Sequence, residues 1–115
     1  MAVRKKLVRE TKRIYKAKLN SAIAWYKPEQ WDLLLKVSED KDKLEATHSE
    51  WERTAEKTLE RFSKKGMHFM KVLVDVNDLV KWCKSKKISV NGEARAEYAA
   101  VRMRNMNKNR RKRRN

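Results

Sequence analysis

The chain is poor in the residues from which catalytic and metal centres are usually built: one cysteine, two histidines, two glycines and one proline among 115 residues. A lone Cys83 excludes an internal disulfide framework and suits a reducing compartment. Two glycines are too few for a phosphate-cradling loop. His48, His68 and Cys83 are scattered, with no ligand pair at zinc spacing. Apolar runs are short, far below the ~20 residues of a membrane span. The opening "MAVRKKLVRETKR" has no apolar stretch leading to a small-residue cleavage site, so no secretory signal is expected and the cytoplasm is the default location. No metal or cofactor is expected.

Charge, in contrast, is abundant. Charged residues make up 40% of the chain and the formal net charge is +16. That charge is unevenly placed. Residues 1–20 carry eight Lys/Arg and one acid, and residues 102–115 carry eight Lys/Arg and no acid. The 81 residues between them, 21–101, carry fifteen Lys/Arg and fourteen Asp/Glu, a net of +1. Mixed charge is what a folded surface shows, whereas like-charge blocks repel, solvate and serve as interaction tails. The length fits one domain, so the expected organisation is a basic arm over 1–20, able to form a helix, one globular domain over 21–104, and a disordered basic tail over 105–115.

The periodicity of the body predicts a mainly helical α+β fold with about four helices and one or two short strands. "SAIAWY" stops at Pro28 and reads as a short strand or extended entry. Pro28-Glu29 opens a helix of about ten residues that turns Trp31, Leu34 and Leu35 inward. Leu44, His48, Trp51, Ala55, Leu59 and Phe62 trace one stripe of a helix from Asp42 to Lys65, closed by Gly66. "MHFMKVLVD" (67–75) is the clearest strand. It needs a partner for its backbone, either residues 21–26 or the same strand of a second copy, which would make a homodimer. Asp75 caps a third helix over 76–86 that buries Val76, Leu79, Val80 and Cys83. A turn at Asn91-Gly92 leads to a fourth helix, about 92–104, with Ala94, Tyr98 and Val101 inward.

The stretches "WYKPEQWDLLLKVSED", "GMHFMKVLVDVNDLVKWCKSKKI" and "NGEARAEY" together resemble a group of small bacterial proteins with no assigned activity. The similarity covers residues 25–98 and is carried most particularly by Trp82-Cys83 and by Ala94 to Tyr98. It implies a bacterial cytosolic protein, carries no catalytic residue across, and leaves both basic ends outside.

For chemistry, Cys83 falls on an apolar helical stripe, where a small buried hydrophobe is expected instead of a reactive thiol. The carboxylate pairs Glu39/Asp40, Asp75/Asp78 and Glu93/Glu97 each read as surface charges or caps. The expectation is a non-enzymatic protein that binds RNA or DNA with little sequence preference. Lys and Arg that neutralise phosphates release counterions, and Arg presents a planar fork to them. The candidate contacts are Arg4, Lys5, Lys6, Arg9, Lys12, Arg13 and Lys16 in the first arm, and Arg110, Arg111, Lys112, Arg113 and Arg114 in the tail. Tyr15, Trp25 and Tyr26 are candidates for stacking on bases; Trp31, Trp51 and Trp82 are expected in the core. The competing expectation is a protein-interaction or assembly module with accessory basic tails.

Overall fold

The structure, a computed structural model, describes residues 21–114, with side chains through Lys108. Its fold is a mainly helical α+β arrangement. Strand β1 (Ala22–Trp25) leads through a 3-10 turn (Pro28–Gln30) into helix α1 (Trp31–Val37). A second 3-10 turn (Lys41–Lys43) precedes helix α2 (His48–Lys64). Strand β2 (Met70–Leu73), helix α3 (Val76–Lys86) and helix α4 (Gly92–Arg114) complete the chain.

The two strands pair in parallel, with Ala22 opposite Met70 and Trp25 opposite Leu73. Parallel pairing requires a long crossover, and α1 and α2 supply it. The backbone requirement that suggested a second copy of strand 67–75 is therefore met inside the chain by β1. Period-two alternation then sorts the side chains. Ala22, Ala24, Met70 and Val72 face α4, packing with its Ala99 and Met103. Alanine on both surfaces lets helix and sheet approach closely. On the other face Lys71, the one charge in the strand, lies with its Nζ 4.1 Å from the centroid of the Trp25 ring and forms an ion pair with Glu56 of α2. The ammonium lies over the ring and keeps a carboxylate partner.

A second, larger cluster joins Tyr26, Trp31, Leu34, Val74, Val76, Leu79, Cys83, Val90, Ala94 and Tyr98. Trp51 stacks on Trp31 with ring centroids 5.1 Å apart and contacts Trp25 at 4.9 Å. The Trp31 indole N–H donates to the Glu45 carbonyl at 3.1 Å, satisfying the polar edge of a ring that is only 2% exposed. Trp82 packs edge-on against Tyr98 at 5.3 Å. Thus Trp31 is buried, while Trp51 and Trp82 are half-buried and packed against the same cluster.

Several boundaries differ from those expected. Helix α2 begins at His48, not Asp42, because Thr47 is extended and its hydroxyl accepts from the Glu50 N–H at 3.2 Å. "THSE" is the Thr-x-x-Glu start signature, which the apolar stripe beginning at Leu44 overrode. The strand expected over 67–75 is limited to Met70–Leu73, since Met67 belongs to the turn that ends α2 and donates its N–H to the Phe62 carbonyl at 2.9 Å. Helix α3 fits its predicted span, capped by Asp75, whose carboxylate accepts from the N–H groups of Asn77 and Asp78. It ends without glycine: Lys87 adopts φ 58°, and Ile88 N–H bonds back to the Cys83 carbonyl at 3.0 Å, the Schellman closure.

The largest difference is α4. It does not stop near 104 but runs on through Arg114. No Gly or Pro follows Gly92, and Arg, Lys and Met propagate a helix well. Cations in the last turns also suit the negative end of the helix dipole. Its buried positions are Ala94, Arg95, Tyr98, Ala99 and Met103, with Val101 only half-buried.

Candidate nucleic-acid interface

The candidate interface rests on α4 and on how its first turn is fixed. Asn91 caps the helix through its side-chain oxygen, which accepts from Ala94 N–H at 3.0 Å, and its amide donates to Glu39 at 3.3 Å. Glu39 N–H donates to the Val90 carbonyl at 2.8 Å. One turn in, Arg95 is 8% exposed and forms a two-pronged pair with Asp40, Nη1 to Oδ1 at 2.9 Å and Nη2 to Oδ2 at 2.7 Å. Its Nη1 also reaches the hydroxyl of buried Ser38 at 3.2 Å. The Arg95 guanidinium holds the Asp40 carboxyl below its ordinary range. The segment after α1 is thereby stitched to the base of α4.

Charge along α4 is segregated. Glu93 sits in the first turn and Glu97 follows it, after which no acid occurs to the end of the chain. An open depression of about 570 Å³ beside the first turn is lined by Glu39, Asp40, Lys43, Asn91, Gly92 and Glu93, so that end is acid-rich. At the other end, Arg102, Arg104 and Lys108 are exposed and no residue from Arg104 to Lys108 is buried. Positions 110–114, expected as phosphate contacts, occupy the final turns of the same helix. The candidate tail positions therefore share one helix with exposed Arg102, Arg104 and Lys108, which the expected helix end near 104 had separated from the rest. The uninterrupted absence of Gly and Pro beyond that point was the signal in the sequence.

Helix α4 runs antiparallel to β1. Its early residues Ala94 and Tyr98 share the larger cluster with Tyr26 and Val74, at the ends of the strands. Its later residues Ala99 and Met103 pack with Ala22 and Met70, at their starts. The chain consequently enters β1 at the edge of the body from which the basic end of α4 leaves. Arg4, Lys5, Lys6, Arg9, Lys12, Arg13 and Lys16 lie outside the described residues, but the peptide that carries them joins the body at this edge.

Several of the residues weighed for other chemistry have structural occupations. Cys83 is buried, and burial raises the pKa of its thiol. His48 Nε2 lies 2.6 Å from the Tyr26 carbonyl; a carbonyl only accepts, so that nitrogen donates, and the ring packs 5.2 Å from Trp51. His68 is exposed in the connection between α2 and β2. Asp75 caps α3, and Glu39 and Asp40 accept from Asn91 and Arg95. Burial pushes the Tyr26 phenol upward, and its hydroxyl has no hydrogen-bond partner among the described residues. Trp25 and Tyr26, candidates for base stacking, are instead packed against Trp51, and Tyr15 lies outside the described residues. No family of known proteins, no curated protein and no solved structure matches this chain.

Proposed function

We propose that this protein is a non-enzymatic nucleic-acid-binding protein with little sequence preference, whose two basic segments act together on phosphates. The observation that carries this reading is the convergence just described. The chain enters β1 at the edge where α4 emerges, and the two segments that meet the nearly neutral body there, residues 1–20 and 102–115, carry sixteen Lys/Arg in sequence. Cations gathered in this way reinforce one another's field and recruit a polyanion. Their contacts are sequence-independent, because phosphates carry no base identity.

The test is binding of a random-sequence oligonucleotide by the full chain and by two charge-neutralised variants. One replaces Arg110, Arg111, Lys112, Arg113 and Arg114 with Gln; the other replaces Arg4, Lys5, Lys6, Arg9, Lys12, Arg13 and Lys16 with Gln. Each variant is expected to bind more weakly than the parent, and their combination to lose binding. Equal binding by the parent and the combined variant would reject the reading.

A further inference from the structure

Resting on the nucleic-acid reading above, we propose that the ligand of the α4 end is specifically double-stranded DNA, with the exposed helix seated in its major groove. Three observations lead there. The first is the shape of the cationic element. The eleven residues from Arg104 to Arg114 are helical, which at a rise of ~1.5 Å per residue makes a rod about 16 Å long and, with side chains, ~10–12 Å across. The B-DNA major groove is ~12 Å wide and admits such a rod. The A-form RNA major groove is deep and narrow and does not.

The second observation is the distribution of charge around the rod. With successive residues turned by about 100°, basic positions 102, 104, 108 and 110–114 fall on every side of the helix axis. A groove offers phosphate rails on both flanks and uses cations on opposite sides of an inserted helix. A membrane surface engages one side of a helix and requires an apolar face. Beyond Met103 the only apolar residue is Met106, which supplies no such face.

The third observation concerns stacking. Single strands are held by aromatic platforms in a basic groove. All eight aromatic residues from Trp25 to Tyr98 are packed against another aromatic ring, and none of them is exposed. The described residues therefore present no fully exposed aromatic ring as a platform for unstacked bases.

The experiment compares the full chain on three probes of matched length, a random-sequence DNA duplex, its single strand, and an RNA duplex of the same sequence. Duplex DNA is expected to bind about tenfold more tightly than either other probe at ~0.1 M salt. A variant with Asn107→Pro keeps every charge and, by removing the hydrogen bond to the carbonyl of buried Met103, breaks α4 where its exposed part begins. It is expected to lose the duplex preference while retaining single-strand binding. Equal affinity for all three probes, a preference for single strands or RNA, or an unchanged duplex preference in Asn107→Pro would each overturn the inference while leaving the broader reading intact. Failure of the parent chain to bind any of the three would overturn both.

Discussion

Arg95 and Asp40 meet through two parallel charge-assisted hydrogen bonds of 2.9 and 2.7 Å, fifty-five residues apart in sequence and largely out of solvent. This pair fixes the first turn of α4 against the segment that leaves α1. It therefore sets the orientation of the helix whose other end carries the cations.

Removing one partner should be far more damaging than an ordinary surface change. Asp40→Asn leaves the buried Arg95 charge uncompensated, a loss of about 3 kcal/mol, and Arg95→Met, which strands the half-buried Asp40, should cost less, both measured by denaturant unfolding. Arg95→Lys should recover only part of it, because one ammonium cannot reproduce the fork that spans both carboxylate oxygens and reaches Ser38. Full recovery by Lys would show that charge alone, without geometry, holds the joint.

The same pair makes stability pH-dependent in a defined direction. The folded-state pKa of Asp40 lies below that of the unfolded chain because of the Arg95 hydrogen bonds. Its contribution is therefore complete above the ordinary aspartate range of ~4 and is lost as pH falls through the depressed value. Acid unfolding of the parent and of Asp40→Asn should converge at low pH and separate as pH rises. Parallel curves would contradict this assignment.

Three backbone positions give a contrasting set. Gly66 has φ 82°, so Gly66→Ala should destabilise by about 1 kcal/mol. Lys87 occupies the same left-handed region at φ 58° without glycine's freedom, so Lys87→Gly should stabilise by about 0.5–1 kcal/mol. At Gly92 an added Cβ would lie 3.7 Å from Arg95 Nη2 and 3.8 Å from Asp40 Oδ2, ordinary contact distances. Gly92→Ala should therefore be tolerated, with a small gain of about 0.4–1 kcal/mol from the stiffer unfolded chain. Thermal unfolding of the three single variants checks all three signs.

Cys83 should behave as a packing residue. It is buried with a raised thiol pKa, so alkylation by a maleimide in the native protein should be slow and should accelerate on unfolding. Rapid native labelling would reveal an opening of the core around α3.

The local grammar of the fold was largely legible in the sequence. Asp75 as a cap, Gly66 as a stop, Cys83 on an apolar stripe, and Ala94 and Tyr98 turned inward all follow from side-chain chemistry within one or two turns. Long-range choices were not. Residues 67–75 read as a strand and 21–26 as a strand or extended entry, but their parallel pairing depends on the crossover through α1 and α2. Arg95 stands in "ARAEY" without any local mark of its partner, because Asp40 arrives through tertiary packing. The end of α4 was misplaced because charge density suggested a solvated tail. Helix already nucleated and packed through Met103 continues at little cost through good helix formers.

The central claim, that the basic end of α4 and the N-terminal segment form one phosphate-binding site, is tested most directly by the salt dependence of binding to a random-sequence DNA duplex. Each phosphate neutralised contributes a slope of about −0.9 in log affinity against log salt. Neutralising residues 110–114 should flatten the slope by several units, and neutralising the seven N-terminal cations should flatten it further. Slopes indistinguishable from that of the parent chain in both variants would contradict the account.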